Sequence, residues 1–314
     1  MCTAIRHKNF FGRNLDLEFS YNEKIILTPR NYPLDFRTLD TLQSHYGILG
    51  TGIVSCGYPL YFDAMNEKGL CMAGLNFPDN AHYMPICHGS DNIAPFEVIP
   101  YILGKCATVK DAQKILTRIN IADIHFSEDF PNSPLHWMIA DKDSSIVAEQ
   151  TKDGLKVYHN PVDVLTNNPP FDYHLTNLAN YINITPKEPD NRFSDKISLA
   201  PYSRGMGGMG LPGDLSSASR FVRASFTLLN SAEHSISQFF HILDSVKQQK
   251  GAVCVGDKYE YTVYSVCFDT ENLICYYTTY ENRRITAVSM KNTDNTCDKL
   301  TIYELSHCED IKKV

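Results

Sequence analysis

The chain has 314 residues, 43% of them hydrophobic and 21% charged, and a formal net charge of -7. That composition belongs to globular proteins that bury a real core, and it excludes the disordered, collagen-like and coiled-coil classes. Lys and Arg are scattered singly, so no basic tract follows a phosphate backbone and no nucleic-acid partner is expected. No run approaches the roughly 20 apolar residues of a membrane span. The opening Met-Cys-Thr-Ala-Ile-Arg-His-Lys has no apolar signal core, and the expectation is a cytoplasmic protein without membrane contact.

No repeat, low-complexity stretch or linker divides the sequence, which predicts one domain over residues 2–314. Short β-type runs come first, at 3–6, 10–14, 25–28, 46–53 and 70–77, each bounded by Gly, Asn or Pro. The segment Cys56-Gly57-Tyr58-Pro59 reads as a loop. A helix is predicted from Thr108, with Asp111 three residues on and Val109, Ala112, Ile115, Leu116 and Ile119 at the helical period. Strands return at 136–140, 145–150 and 155–159, and a helix is expected from 171 to 182. The glycine-rich stretch 205–213 lacks the Lys-Ser/Thr ending of a phosphate loop. Helices at 216–229 and 236–246 lead into a β-meander at 261–268, 273–280, 284–289 and 300–304. Strands, then helices, then strands fit antiparallel sheets with helices packed outside them rather than βαβ alternation.

Ten cysteines sit singly, without any C-x-x-C pair, so neither a zinc knuckle nor a redox pair is expected. Cys87-His88 and His307-Cys308 are adjacent pairs, a spacing that rarely serves one metal. Cys2 differs because it follows the initiator Met. Removal of Met1 would join a thiol and a free α-amine on one residue. An α-amine has an ordinary pKa of roughly 7.7–8.0, which lets it act as a base near neutral pH. Arg13 and Asp16 lie on a short run able to return beside Cys2; a guanidinium there favours the thiolate, and a carboxylate steadies the protonated amine.

These residues belong to a longer pattern. In order, it contains Met1-Cys2-Thr3, Phe11-Gly12-Arg13-Asn14-Leu15-Asp16 and Met65-Asn66-Glu67-Lys68-Gly69-Leu70. It continues with Ala73-Gly74-Leu75-Asn76-Phe77-Pro78, Leu135-His136-Trp137-Met138 and Leu165-Thr166-Asn167-Asn168-Pro169. Leu211-Pro212-Gly213-Asp214 and Ala218-Ser219-Arg220-Phe221 complete it. The chain thereby resembles the choloylglycine hydrolase family, which contains bile salt hydrolases and penicillin V acylases.

The resemblance implies an α+β fold, the αββα four-layer sandwich of N-terminal nucleophile hydrolases. It implies Cys2 as nucleophile with its own amine as base, flanked by Arg13 and Asp16. Asn76 and Asn167 would supply oxyanion contacts, Arg220 would complete the polar cluster, and no cofactor or metal is needed. Asn76 is similar to the bile salt hydrolase pattern, where penicillin V acylases tend to carry tyrosine. The expected substrate is a glycine- or taurine-conjugated bile acid, bound by wall candidates Leu15, Phe19, Tyr21, Phe62, Ile124, Phe126 and Phe130. The family also implies a homotetramer assembled through the polar segment between Thr185 and Arg204. Three alternatives stay open: an acylase for penicillin V or acyl homoserine lactones, a hydrolase pairing an internal cysteine with His136 or His125, and a non-catalytic binding protein.

Overall fold

The computed structural model describes residues 1–292 and 294–314. β1 (Cys2–His7) and β2 (Phe10–Leu17) open the chain as a hairpin, pairing Cys2 with Leu15 and Ala4 with Arg13. β3 (Lys24–Thr28), β4 (Ile48–Ser55), β5 (Tyr58–Asn66) and β6 (Cys71–Asn76) form a meander. A short parallel pair, β7 (Asp91–Ile93) and β8 (Ile119–Ile121), encloses α1 (Val98–Lys105) and α2 (Val109–Leu116). β9 (Leu135–Ala140), β10 (Ser145–Thr151), β11 (Gly154–His159) and β12 (Val164–Leu165) follow, then α3 (Phe171–Asn177), α4 (Ser217–Leu229) and α5 (Ile236–Asp244). β13 (Val253–Val255), β14 (Lys258–Asp269), β15 (Ile274–Thr279), β16 (Thr286–Ser289) and β17 (Thr301–Glu304) end the chain.

Two antiparallel sheets result. One runs β12-β1-β2-β14-β15-β16 with β13 on β14; the other runs β11-β10-β9-β6-β5-β4-β3-β17. Their facing sides join α4 and α5 in one apolar cluster that includes Phe11, Val266, Met65, Met138, Phe239 and Leu243. A second cluster packs α1 and α2 on the outer side of the second sheet through Ile26, Met72, Ile139, Ile102 and Leu116. The layers are therefore α, β, β, α. Each fully buried Phe or Leu here contributes about 1.5–3 kcal/mol of transfer free energy. Gly12 is demanded by the layering, since a Cβ there would lie 1.8 Å from Val266 O on β14.

Helix starts follow their caps. Thr108 accepts the Asp111 N–H, Ser216 that of Ser219, and Ser235 that of Gln238, each satisfying a donor with no intrahelical partner. α2 stops at Leu116, so Ile119 lies in β8 rather than on the helix. α3 stops at Asn177, with a 3₁₀ turn at Leu178–Tyr181 where a continuous helix is expected.

Besides the two- and three-residue strands β7, β8, β12 and β13, two longer elements, β5 and α1, escape the sequence pattern. The expected loop at Cys56-Gly57-Tyr58-Pro59 is a two-residue turn, with φ of 50° at Cys56 and 78° at Gly57, leading into β5. Such a turn makes Ser55–Tyr58 the hydrogen-bonded pair and Val54–Pro59 the non-bonded one. Pro59 is tolerated there because β6 pairs only with residues 63–65 of β5. α1 carries Pro100 in its first turn, where a missing N–H costs no intrahelical bond.

Candidate active site

β1 and β2 put Cys2, Arg13 and Asp16 in one buried patch; Arg13 and Asp16 are wholly inaccessible and Cys2 is 2% exposed. β6, facing them from the second sheet, adds Gly74 and Asn76. The Arg13 Nη1 donates to Gly74 O at 2.6 Å, Nε lies 4.0 Å from Asp63 Oδ2, and Nη2 is buried without a hydrogen-bond partner. Burial works against this charge, but Cys2, Tyr264, Asp63 and Asp16 together outweigh it and raise the guanidinium's pKa. Burial pushes Asp63 up to about 6 despite Arg13 and the hydrogen bond from Tyr264.

Arg220, at the start of α4, binds the nucleophile's own backbone. Nη1 donates to Cys2 O at 2.5 Å and to Thr3 Oγ1 at 2.7 Å, and Nη2 donates to Asn167 Oδ1 at 2.8 Å. Burial lowers its pKa, opposed by Asp16, Cys2 and Glu260. Asp16 Oδ2 lies 4.0 Å from Nη1, and its Oδ1 accepts Thr262 Oγ1 at 2.6 Å. The Cys2 nitrogen donates to Asn167 Oδ1 at 2.7 Å, and Asn167 Nδ2 donates to Asn76 O at 2.7 Å. Asn167 thus meets the Cys2 nitrogen as an acceptor, an interaction beyond the oxyanion contact expected from sequence; its second Nδ2 hydrogen is uncommitted. With Met1 present, the chain's amine donates to Asp16 O at 2.6 Å and pairs with Glu260 at 2.9 Å.

A cavity of about 410 Å3 opens beside Cys2, within the ordinary range for small-molecule sites. Arg13, Asn76, Leu15, Tyr21, Phe62, Phe126 and Phe130 line it, whereas Asp16, Asn167 and Arg220 support it from behind. Phe19 and Ile124 are not in its wall. Phe19 follows the end of β2, is 38% exposed and packs on Tyr21; Ile124 lies on the loop after β8. Leu17, Leu60, Phe96, Ile99 and Trp137 are among the residues that add to the wall from segments that sequence periodicity gives no reason to join.

Asp63, Tyr264, Glu260, Thr262 and Ser217 also escape the sequence reading. A carboxylate at 63 inside a strand buried on both faces would have marked that residue, had β5 been recognised. His136 is an unsuitable base for another cysteine, since both ring nitrogens are engaged, by Glu149 and Thr166 O. His125 is 54% exposed. Among the described residues, Cys2 is the only cysteine lining the cavity, and no group of three or more His, Cys, Asp or Glu could hold a metal ion.

The sequence profile of the linear amide C–N hydrolases, choloylglycine hydrolase family, matches residues 2–303. A protein of Lactiplantibacillus plantarum named bile salt hydrolase/transferase is 54% identical over 97% of each chain. The crystal structure of the C2A mutant of a conjugated bile acid hydrolase from Clostridium perfringens superposes with a TM-score of 0.94 at 36% identity, covering all of both chains. A penicillin V acylase from Agrobacterium tumefaciens shares the fold, with a TM-score of 0.75 at 20% identity over 97% of this chain and 91% of its own.

Proposed function

The chain belongs to the choloylglycine hydrolase family of linear amide C–N hydrolases, and from that premise we propose that it cleaves the amide joining a bile acid to glycine or taurine. The observation that carries the proposal is the Cys2 nitrogen, 2.7 Å from Asn167 Oδ1 beside a largely apolar cavity. Once Met1 is removed, leaving one domain over 2–314, that nitrogen is an amine. The Cys2 thiol attacks the amide carbonyl carbon as its proton passes to the amine. The carbon–nitrogen bond breaks, the amine returns the proton to the leaving glycine or taurine, and a thioester remains. Water attacks the thioester with the same amine as base, releasing the bile acid and restoring the thiol.

In this reading Arg13 stabilises the thiolate, and Asp16 and Arg220 hold the strand that presents it. Asn76 and Asn167 donate to the oxyanion, a contribution of about 2.7–4 kcal/mol for one donor. Leu15, Tyr21, Phe62, Phe126 and Phe130 contact the steroid. The deciding assay compares taurine and glycine release from conjugated cholates with phenoxyacetate release from penicillin V. We expect the conjugates to be preferred at least tenfold in kcat/KM; preference for penicillin V would transfer the site to the acylase reading. The L. plantarum relative is also named a transferase, and a thioester open to water is open to an amine, so the assay includes added glycine and follows new conjugates.

We also propose a cytoplasmic homotetramer, with the segment between Thr185 and Arg204 at the interface. Phe193 and Tyr202 support that assignment, being 82% and 83% exposed in a stretch that also exposes Ile197 and Leu199. No helix among the described residues is long and apolar enough to cross a membrane. Light scattering is expected to give four times the chain mass, falling when Phe193 and Tyr202 become Ser; a monomeric parent would remove the assembly. Cell fractionation checks the compartment, and recovery in the membrane pellet would contradict it.

A further inference from the structure

Two histidines that this reaction does not use lie behind Asn167, both fully buried and neither in the cavity wall. His174, in α3, places Nε2 2.9 Å from the Asn167 carbonyl oxygen. His136, in β9, places Nε2 2.9 Å from the carbonyl oxygen of Thr166. A carbonyl oxygen only accepts, so the hydrogen-bond network assigns each ring a proton on Nε2. Burial lowers the His174 pKa to about 4, and its neutral ring then has one N–H, which the 2.9 Å contact assigns to Nε2 and Asn167 O while Nδ1 is buried without a hydrogen-bond partner. That ring stacks on Phe221 at 4.7 Å.

His136 is anchored from two sides. Its Nδ1 lies 3.0 Å from Glu149 Oε1, which also accepts the Phe171 N–H at the start of α3. Its ring stacks on Phe77 at 4.3 Å, the residue after Asn76, whose carbonyl receives Asn167 Nδ2. The Asn167 N–H donates to Ser217 Oγ at 2.8 Å. The peptide groups on both sides of the Asn167 Cα are therefore fixed by side chains from three different elements.

We propose that His136 and His174 are positioning residues, whose donation to consecutive carbonyls fixes Asn167 and so the seat of the Cys2 nitrogen. A displacement of about 1 Å in such a supporting shell can cost about 10²-fold in rate. The inference rests on the Cys2 amine being the base, as argued above. Without the clamp the Asn167 backbone is held only through its N–H, the side-chain amide keeps Arg220 and Asn76 O but moves with the backbone, and the acceptor that orients the amine's lone pair toward the thiol proton is displaced.

His174→Phe keeps a ring stacked on Phe221 and removes the donor, whereas His174→Gln offers an N–H near the lost Nε2. We expect kcat to fall about 10- to 100-fold in the Phe variant with KM within about twofold, and to recover several-fold in the Gln variant. The pH profile of Cys2 alkylation by iodoacetamide, followed by peptide mass, should shift in the Phe variant and return in the Gln variant. Leu116→Ala, in α2 on the far helical layer, is a control that lowers stability without moving either readout. A Phe variant with lowered stability but parental kcat and alkylation profile would overturn the proposal, as would a Gln variant no better than Phe.

If the Phe variant does not fold, imidazole nitrogen NMR of the unmutated enzyme decides the matter. The clamp requires His174 to carry its proton on Nε2, and an Nδ1–H tautomer contradicts it. Alkylation and tautomer are read without substrate. A protein that alkylates as expected but fails to hydrolyse conjugates would sink the proposed substrate while leaving the clamp standing.

Discussion

Cys2→Ser is expected to fold normally and to lose about a thousandfold or more in kcat, as removal of a nucleophile does elsewhere. The exchange is nearly isosteric at a position only 2% exposed, so circular dichroism and thermal melting should match the parent. What changes is the nucleophile: near neutral pH a hydroxyl is far less ionised than a thiol and is the weaker nucleophile. Activity within tenfold of the parent would place the reaction on another group. Among the described residues no other cysteine lines the cavity, so that outcome would also require a different chemistry.

Arg220→Met is the second large effect, and it should appear in stability as well as rate. The guanidinium satisfies Cys2 O, Thr3 Oγ1, Asn167 Oδ1 and Leu215 O, and lies 4.0 Å from Asp16. Methionine fills similar volume but supplies no donor and takes from the buried Asp16 carboxylate one of its two guanidinium neighbours, leaving Arg13. Breaking a buried pair from one side typically costs about 3–5 kcal/mol, measurable by urea unfolding. Turnover should fall about a hundredfold or more, since β1 loses the contact that fixes the Cys2 carbonyl. A variant with parental urea midpoint and parental kcat would refute both roles.

Local chemistry explains what was legible beforehand. The hairpin of β1 and β2 is written in two short β-type runs and the tight turn between them, and the caps at Thr108, Ser216 and Ser235 are single-residue signals. β5 and α1 were hidden because Pro59 and Pro100 break propensity patterns that the tertiary setting tolerates, one beside an unpaired stretch and one in a first turn. The cluster of Cys2, Arg13 and Asp16 could be read from two neighbouring strands. Arg220 and Asn167 needed the family pattern, because a residue 218 positions from the nucleophile reaches it only once the sheet and α4 have packed. Phe19 and Ile124 show the limit for the cavity wall: an aromatic or branched residue near a strand end gives no indication of which way the chain turns next.

The central claim is that a chain beginning at Cys2 forms the acyl intermediate, and acid quenching of a single turnover followed by peptide mass mapping tests it most directly. We expect a bile-acyl adduct on the sulfur of a peptide that starts with Cys2 and lacks Met1, decaying as free bile acid accumulates. An adduct on any other residue, or full turnover by protein that still carries Met1, would contradict the account.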